Sequence, residues 1–440
     1  MLSLLSAAPA RMRQKEVDAL WWLYEHTAGK NWKDNSGWAG PSTDPCRRFS
    51  TERRWALSND EGLDPADGVV TTWVPGAHIE ASPWFGVGCH DPCDDYLDGY
   101  ECAAGRAASL VLHDNNLRNA PGWGSFHEWT GLGQLRNLTW LDLSHNEIGG
   151  SLPTQIGRLK NLDILRLEYN SLEGTLPTEL GKINNGGVLH YVELANPQTP
   201  VDLLHFMYRF TIDHNSISGT VPTELGVKGE LEHLDIAHNS LTGTLPTELA
   251  RLHRVQSLHM NDNLISGTLT AAYFDAWATR LSYLKLERNA ISGSLPTTLG
   301  KLRHLVDFDL FDNQLAGTLP TQISGLRAVR EFRLSDNKIS GALPTEVGEL
   351  RHPLEYLDVY NNPLSGTMPP TIFELINLKY LYVPNAILDP ILNYKCQERI
   401  PRNGKYNWRI VRDEYPVMMA KYCPEPYDVQ FAFEPLQGDV

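Results

Sequence analysis

One phrase recurs along most of this chain, and each copy closes on an asparagine. It is clearest at residues 138–159, which read L-x-x-L-x-L-x-x-N-x-I-x-G-x-L-P-x-x-I-G-x-L. Five of the nine spacings between successive asparagines are 24 residues, and a period of this length predicts a solenoid of stacked coils. We call these residues the ladder asparagines: Asn115, Asn146, Asn170, Asn215, Asn239, Asn263, Asn289, Asn313, Asn337 and Asn362.

One copy of the phrase cannot fold alone. The seven apolar side chains of residues 138–159 contribute about 14 kcal/mol if each is buried at about 2 kcal/mol. Ordering the backbone of one 24-residue period costs more than this, at about 1–2 kcal/mol per residue. Burial is therefore completed only when coils stack on one another. The alternation in L-x-L predicts a short strand with its leucines inward, so successive strands pair in parallel.

The asparagine and the glycine of the phrase both have structural explanations. A polar side chain among buried leucines is costly unless its hydrogen bonds are made. A carboxamide supplies donors and an acceptor for the backbone of its own coil and of the next coil. Glycine suits a turn with unusual backbone angles. The repeated glycines are Gly150, Gly174, Gly219, Gly243, Gly267, Gly293, Gly317, Gly341 and Gly366.

The phrase resembles the plant-type leucine-rich repeats of receptor ectodomains and polygalacturonase-inhibiting proteins, and its G-x-[LVM]-P half is the specific part. This resemblance implies an α/β solenoid of about ten to eleven coils. In that family the solenoid is an arc with a concave parallel β-sheet, a second short-stranded sheet beside it, and irregular or 3₁₀ coils on the convex side. The motif is specific for the fold and says little about function.

Both ends of a solenoid expose leucines, so caps are required. Residues 19–89 resemble the amino-terminal cap of the same family. We expect a cap with an insertion over residues 1–106, the solenoid over 107–388, and a carboxy-terminal cap and tail over 389–440. Apolar side chains at helical spacing are candidates to cover the first coil. They are Val17, Leu20, Trp21, Leu23 and Tyr24.

Two stretches do not fit the period. Residues 47–82 are longer than the usual spacer in this cap. The step from Asn170 to Asn215 is one period plus 21 residues, and residues 184–205 hold the excess. This second stretch is either a loop that folds over the concave face or a degenerate repeat, and both interpretations stay open.

Six cysteines lie outside the repeats: Cys46, Cys89, Cys93, Cys102, Cys396 and Cys423. Their even number and position in the caps favour disulfides over reduced thiols, and hence an oxidising compartment. The family resemblance suggests pairs 46–89 and 396–423, which leaves 93–102. We expect a secreted or cell-surface protein, with an oxidising organelle lumen as the alternative. Asn137 is the candidate acceptor for N-glycosylation.

Several functional classes lack support. The formal net charge is −15, from 38 basic and 53 acidic residues, which disfavours nucleic acid as a partner. No apolar run approaches the roughly 20 residues that span a bilayer. A metal site at His145, His214 and His238 has little support, because these residues precede ladder asparagines, where histidine is an ordinary surface residue. The acidic loop that begins at Asp91 lacks the residue order of a calcium loop. Catalytic motifs are absent as well, so we expect no enzyme, metal or cofactor.

Function is then sought at the outward position between the two strand leucines. This column mixes charges and rings, which is typical of a protein-binding surface. The column is Asp142, Arg166, Thr211, Asp235, His259, Lys285, Asp309, Arg333, Asp358 and Tyr382.

Two patches are candidates for the contact, because tyrosine and arginine are common interface anchors. The first comprises Phe311, Arg330, Arg333, Tyr356, Asp358, Tyr360, Tyr380 and Tyr382. The second comprises Trp140, Tyr169, Tyr208 and Arg209.

The predicted function is non-catalytic recognition or assembly, in which the concave face binds a partner protein or the chain serves as a subunit of a larger complex; a glycan is the other partner considered. One alternative is inhibition of a cell-wall hydrolase, by family resemblance. Another is ice or mineral binding, because two hydroxyl columns are expected to form a flat rank about 4.8 Å apart. The first runs from Ser151 through Thr175, Thr220, Thr244, Thr268, Ser294 and Thr318 to Thr367; the second runs from Thr154 to Thr345.

Overall fold

The structure is a computed structural model that describes residues 14–35, 38, 79–81, 87–90, 107–120, 125–183, 208–227, 230–350, 353–384, 387 and 409–410. It contains two compact units, residues 1–216 and 217–440. Each unit repeats the same coil: a three-residue strand, a turn that ends on a ladder asparagine, a second short strand, and a 3₁₀ helix. The chain is therefore an α/β solenoid built on parallel strands, as its periodicity predicts.

The first unit begins with helix α1 (Gln14–His26), which packs on the first coil. Trp129 is fully buried, and its indole nitrogen donates a hydrogen bond to the carbonyl oxygen of Ala19 in α1 at 2.8 Å. The predicted core-facing side chains of α1 are buried, apart from Trp21, which is half-buried. The buried ones are Val17, Leu20, Leu23 and Tyr24.

We call the larger sheet the main sheet. In the first unit its strands are Ile79–Ala81, Val87–His90, Ala107–Val111, Trp140–Asp142, Ile164–Arg166 and Arg209–Thr211. The first two strand pairs are antiparallel, and the others are parallel. The amino-terminal cap thus extends the edge of the sheet with antiparallel strands, which the all-parallel expectation did not include.

In the second unit every described pairing of main-sheet strands is parallel. Its strands are His233–Asp235, Ser257–His259, Tyr283–Lys285, Asp307–Asp309, Glu331–Arg333, Tyr356–Asp358, Tyr380–Tyr382 and Arg409–Ile410. The middle residue of each repeat strand is buried, as the L-x-L alternation predicts. The last strand lies in the predicted carboxy-terminal cap, so the sheet continues for one strand beyond the repeats.

The short strands beside the main sheet and the 3₁₀ helices implied by the family resemblance are present, but the described short strands belong to two four-stranded sheets instead of one. We refer to these strands together as the second sheet. The second-sheet strands are Gly149–Ser151, Ser171–Thr175, Ser216–Thr220, Ser240–Thr242, Ser266–Thr268, Ala290–Gly293, Gln314–Gly317 and Lys338–Ile339. The 3₁₀ helices are Gly29–Asn31, Phe126–Glu128, Thr130–Gln134, Thr154–Arg158, Thr178–Lys182, Thr223–Val227, Thr247–Arg251, Thr297–Lys301, Thr321–Gly325, Thr345–Leu350 and Pro370–Glu374.

One coil replaces its 3₁₀ helix with the α-helix α2 (Ala271–Trp277), which the sequence analysis did not predict. Tyr273 and Trp277 are buried, and each donates a hydrogen bond to a carbonyl oxygen of the preceding coil. The hydroxyl of Tyr273 reaches Leu245 at 2.9 Å, and the indole of Trp277 reaches Leu249 at 3.1 Å. These bonds anchor the longer coil to its neighbour.

Each ladder asparagine from Asn146 onward bonds backbone groups of two coils. The carboxamide oxygen of Asn263 accepts a hydrogen bond from the amide of Leu241 at 2.9 Å, and its nitrogen contacts the carbonyl oxygens of Ile236, Met260 and Asn261. Leu241 and Ile236 belong to the preceding coil. The expectation that the ladder bonds the following coil was therefore wrong in direction, although its structural role is confirmed.

The first ladder residue ties the solenoid to its cap. The side-chain oxygen of Asn115 accepts from the amide of Asp34 at 2.7 Å, and its nitrogen donates to the carbonyl oxygen of Asp34 at 2.9 Å. The repeated glycines all have φ between 77° and 96°, which confirms the predicted turn. At Gly243, a Cβ atom would also lie only 2.8 Å from a methyl carbon of Thr220.

The irregular step before Asn215 does not add a coil to the main sheet. Ile164 and Arg209 are direct partners in neighbouring strands, and Asn215 donates to the carbonyl oxygen of Leu167. Strand and ladder are thus continuous across the gap, which argues against the degenerate-repeat interpretation and favours an insertion. Residues 184–205 themselves, like residues 47–78, lie outside the described residues.

Candidate protein-binding surface

The main-sheet face consists of the side chains at the first and third positions of each main-sheet strand, together with those two and three residues beyond it. The predicted outward column forms as expected within each unit. In the second unit, for example, Asp309 pairs with Arg333 and Arg333 pairs with Asp358 in the strand register. Half-buried polar residues alternate here with the buried middle residues of the strands.

The carboxy-terminal patch contains a true ring cluster. The rings of Tyr356 and Tyr382 stack with centroids 5.2 Å apart, and Tyr380 tilts against Tyr356 at 5.4 Å. Burial raises the pKa of Tyr356, and a hydrogen bond with Tyr382 adds to this effect. The three rings belong to neighbouring strands, Tyr356–Asp358 and Tyr380–Tyr382, which pair in register. We call these three residues the tyrosine cluster.

Arg333 orients the tyrosine cluster from the next strand. Its guanidinium carbon lies 4.5 Å from the ring centroid of Tyr356, a cation–π contact. The same guanidinium pairs with Asp309 at 3.2 Å and with Glu331. Because three neighbours hold this one side chain, the cluster is organised before any partner binds.

The remaining members of the first patch lie on the main-sheet face or next to it. Tyr360 is 45% exposed, and its backbone amide donates to the carboxylate of Asp358 at 3.0 Å. Burial raises the pKa of Asp358. Arg330 is exposed one residue before its strand. The ring of Phe311 lies under the guanidinium of Arg288 at 5.1 Å, a partner that the sequence analysis missed.

Many charges in the outward column are satisfied within the protein. Arg166 pairs with Asp142 at 3.5 Å and with Glu168 at 2.6 Å, and His259 lies 3.1 Å from Asp235. Alternating sign along the column therefore partly reflects ion pairs between strands. The sequence analysis interpreted the mixed column as typical of a protein-binding surface and did not predict these internal ion pairs.

Two carboxyl groups of the second unit are crowded. Glu287 is 8% exposed, and one of its carboxyl oxygens is buried without a hydrogen-bond partner. Burial, and then the negative charge of Asp309, raises the pKa of Glu287 to about 8. Burial raises the pKa of Asp309 to about 6 even though Arg333 pairs with it. At neutral pH, Glu287 is therefore mostly protonated.

The amino-terminal patch has a different arrangement from the one predicted. Tyr169 is stacked between His145, at 4.4 Å, and His214, at 4.1 Å. All three residues have φ between 51° and 53° and occupy the turn before a ladder asparagine. Trp140 is 36% exposed at the start of its strand, and Tyr208 and Arg209 are half-buried. The histidines that were dismissed as ordinary surface residues thus form a ring stack with Tyr169.

The other candidate residues are less well defined. Among the described residues, no group of three or more His, Cys, Asp or Glu side chains is arranged to hold a metal ion. Asn137 is half-buried just before the strand Trp140–Asp142, and its glycosylation stays a prediction. The disulfide predictions fall on side chains outside the described residues: Cys46, Cys89, Cys93, Cys102, Cys396 and Cys423.

Comparison with known proteins matches this architecture. The Leucine Rich Repeat family profile matches residues 137–159, 230–252 and 353–375. The ectodomain of the Arabidopsis receptor kinase HAESA, solved with an N-terminally extended IDA peptide hormone ligand, is 28% identical with a TM-score of 0.53 over 69% of this chain and 44% of that one. The chain contains leucine-rich repeats and resembles plant-type leucine-rich repeat proteins in its fold. Its repeats supply both the sequence match and the fold match.

Two more solved structures resemble this leucine-rich repeat protein. HAESA in complex with the peptide hormone IDA and the co-receptor SERK1 is 27% identical with a TM-score of 0.53, over 74% of this chain and 48% of that chain. A plant ice-binding protein shares the fold at 18% identity and a TM-score of 0.51, over 85% of this chain and 88% of that one. The chain spans less than half the length of the HAESA ectodomain. A search of curated proteins found no match.

Proposed function

We propose that this leucine-rich repeat protein is a non-catalytic recognition module that binds a protein or peptide partner on the main-sheet face, as a secreted or cell-surface molecule. The tyrosine cluster carries the proposal. It places three rings side by side, with Arg333 against the ring of Tyr356, and tyrosine and arginine are common interface anchors. The HAESA structures support the class of function, because their solved complexes contain a peptide hormone.

The surroundings of the cluster also suit a partner contact. Tyr360 adds an exposed ring beyond the strand, and Arg330 adds an exposed charge before it. An interface of this kind has buried rings at its centre and polar groups at its rim. None of the helices in the described part of the chain is long and apolar enough to cross a bilayer.

The test replaces Tyr356, Tyr360, Tyr380 and Tyr382 together with alanine. Proteins from the source medium are captured on immobilised wild type and variant and compared by quantitative mass spectrometry. We expect a partner enriched by wild type to be lost by at least about tenfold, since anchor truncations typically cost more than about 1 kcal/mol each. The matched control is Trp140→Ala with Tyr169→Ala, which removes exposed rings from the other patch.

The outcome separates the two patches. Retention by the control and loss by the tyrosine variant support the assignment, provided that circular dichroism shows both variants folded. Loss by the control alone would move the site to the amino-terminal patch. Equal capture by all three proteins would remove the main-sheet rings from the binding site.

The described residues do not favour the two alternatives. For ice or mineral binding, Thr220 pairs in register with Thr242 rather than with Thr244, so equivalent hydroxyls of the first column are not direct partners in neighbouring strands. This register does not support a flat rank of hydroxyls about 4.8 Å apart. In the second column, the hydroxyls of Thr223 and Thr345 contact neighbouring glutamates at 3.1 Å. Inhibition of a cell-wall hydrolase rests on the repeat alone.

A further inference from the structure

The main-sheet face of the second unit is strongly acidic. Across the six strands from His233–Asp235 to Tyr356–Asp358, its positions hold nine acidic side chains against three lysine or arginine side chains, with three histidines besides. The acidic residues are Asp235, Asp262, Glu287, Asp307, Asp309, Asp312, Glu331, Asp336 and Asp358. The same positions on the strands Trp140–Asp142, Ile164–Arg166 and Arg209–Thr211 of the first unit hold three acidic and two basic side chains. The excess is therefore local to the second unit.

The three basic side chains of this acidic face are already engaged. Lys285 lies 3.6 Å from Asp307, and Arg288 lies 3.3 Å from Asp262. Arg333 pairs with Asp309 at 3.2 Å and also contacts Glu331. Internal pairing therefore leaves an excess of carboxylates on this face.

The side chain of Glu287 lies within this excess of carboxylates. It is more than nine-tenths buried, and one carboxyl oxygen has no hydrogen-bond partner. The charges that act on it are those of Asp309, Asp262 and Lys285, and two of these three are negative. A buried polar atom without a partner is costly. A cation that approaches this group would relieve both the missing bond and the repulsion.

Exposed carboxylates continue the acidic surface toward the tyrosine cluster. Asp312 and Asp336 are exposed in the turns after their strands. Asp312 directly follows Phe311, and Asp336 lies one coil before Tyr360. Asp336 accepts a hydrogen bond from the side chain of Asn361 at 2.6 Å. A chain lying across these coils would meet carboxylates first and rings next.

We propose that the partner of this face is a basic, extended peptide segment whose lysine or arginine side chains pair with Glu287, Asp312 and Asp336 while its apolar side chains contact the tyrosine cluster. This inference rests on the proposed function and adds the chemistry of the partner. Charge complementarity of this kind speeds association and selects partners more than it adds affinity. It also makes binding dependent on ionic strength.

The test uses three fluorescent synthetic peptides of equal length, built from repeats of Arg-Ala-Pro, Glu-Ala-Pro or Ser-Ala-Pro, all of which favour extended conformations. Fluorescence anisotropy measures their affinities for the full chain. We expect the arginine peptide to bind at least about tenfold more tightly than the other two at about 0.01 M salt, and to weaken at about 0.15 M, where the Debye length falls from about 30 to about 8 Å.

The variant is Glu287→Gln, Asp312→Asn and Asp336→Asn combined. Asparagine tolerates the left-handed turn that Asp312 and Asp336 occupy, with φ of 53° and 55°, so the backbone is preserved. The matched control removes three carboxylates from the 3₁₀ helices through Glu224→Gln, Glu248→Gln and Glu346→Gln. We expect the variant to lose about tenfold in affinity for the arginine peptide, because it removes the two exposed pairs, which contribute about 0.2–1 kcal/mol each, together with the pair of the buried Glu287. We expect the control to lose less than twofold.

Proton release gives an independent readout. Pairing with a cation lowers the pKa of Glu287 from about 8, so binding at neutral pH releases a proton. Titration calorimetry in two buffers of different ionisation enthalpy detects this release, and we expect Glu287→Gln to abolish it. Equal losses in variant and control, or equal binding of the glutamate peptide, would overturn the inference. The proposed function would not be affected by that result, because it is tested separately by the loss of partner binding in the tyrosine variant.

Discussion

At the scale of single residues, the ladder asparagines show how one polar side chain holds two coils together. Asn263 is 6% exposed and bonds backbone groups both of its own coil and of the preceding one. The residue type and its burial were predictable from the sequence, because an unsatisfied carboxamide among leucines is too costly to recur. The direction of the bonds was not predictable, since a periodic pattern reads the same toward either neighbour.

We expect Asn263→Ala to lower the free energy of unfolding by about 2–4 kcal/mol, because the buried amide of Leu241 and the carbonyl oxygen of Ile236 lose their partner. Urea denaturation followed by circular dichroism measures the change. Gln314→Ala, at an exposed position just after a ladder asparagine, is the control and should stay within about 0.5 kcal/mol of wild type. Equal effects of the two changes would contradict the structural role.

Glu287 makes stability depend on pH. Its pKa rises from 4.5 to about 8 on folding, so ionisation is disfavoured in the folded state. The folded protein is not penalised below pH 4.5, loses stability as the pH rises through the window from 4.5 to about 8, and loses no more above it. Glu287→Gln removes this penalty. We expect the variant to be more stable than wild type by about 1–3 kcal/mol at pH 8 and nearly equal at pH 4.

Denaturation midpoints in urea at several pH values test this prediction. Glu173→Gln, at an exposed position on the second sheet, supplies the control for loss of a carboxylate. A wild-type protein that gains stability relative to Glu287→Gln as the pH rises would contradict the sign. The crowding itself could not be predicted from sequence, because Glu287 and Asp309 meet only through the register of their strands.

At the scale of elements, the coil tolerates substitution of one helix type by another when side chains anchor it. Helix α2 replaces a 3₁₀ helix, and the step from Asn263 to Asn289 is 26 residues rather than 24. The strands and turns followed from the phrase, whereas α2 did not, because its segment lacks the proline of the phrase and offers Tyr273, Phe274 and Trp277 instead. Packing against the preceding coil decides its conformation.

We expect Trp277→Ala to destabilise the protein by about 3–5 kcal/mol, since it empties a fully buried site and removes the bond to Leu249. Trp277→Phe keeps much of the volume and should cost less than half as much. Thermal and urea denaturation compare the two variants. A similar cost for both would show that the hydrogen bond, rather than the volume, anchors α2.

The tyrosine cluster illustrates the limit of sequence reasoning about sites. Its members could be assigned to one face from their positions in the phrase, and the strand register places them there. The cation–π contact of Arg333 and the stacking of Tyr169 with two histidines depend on side-chain geometry that no periodicity specifies. The assignment of partner binding to either patch remains a prediction.

At the scale of the whole molecule, stability is a sum over neighbouring coils, because each coil packs mainly on the two beside it. Asn289 and Asn313 are one period apart, so the 24 residues 290–313 form a removable unit. We expect a chain that lacks residues 290–313 to fold with a cooperative transition and a lower midpoint. Removal of residues 290–301 alone breaks the phase of the ladder and should abolish cooperative unfolding.

Circular dichroism and urea denaturation of both deletions test this modularity. Loss of folding in both would indicate that a specific coil, rather than the count of coils, is required. The outcome also bears on the second sheet, whose strands Ala290–Gly293 and Gln314–Gly317 pair in this region.

The backward reach of each ladder asparagine gives the solenoid a direction. The carboxamide of Asn263 protects an amide 22 residues earlier in the chain, and Asn289 protects the amide of Ile265 in the same way. Loss of one ladder side chain therefore exposes a backbone amide in the preceding coil. In hydrogen exchange, Asn263→Ala should speed exchange at the amide of Leu241, whereas the amide of Ile265 keeps its protection. Amide exchange in one coil therefore shows whether the ladder asparagine of the following coil is in place.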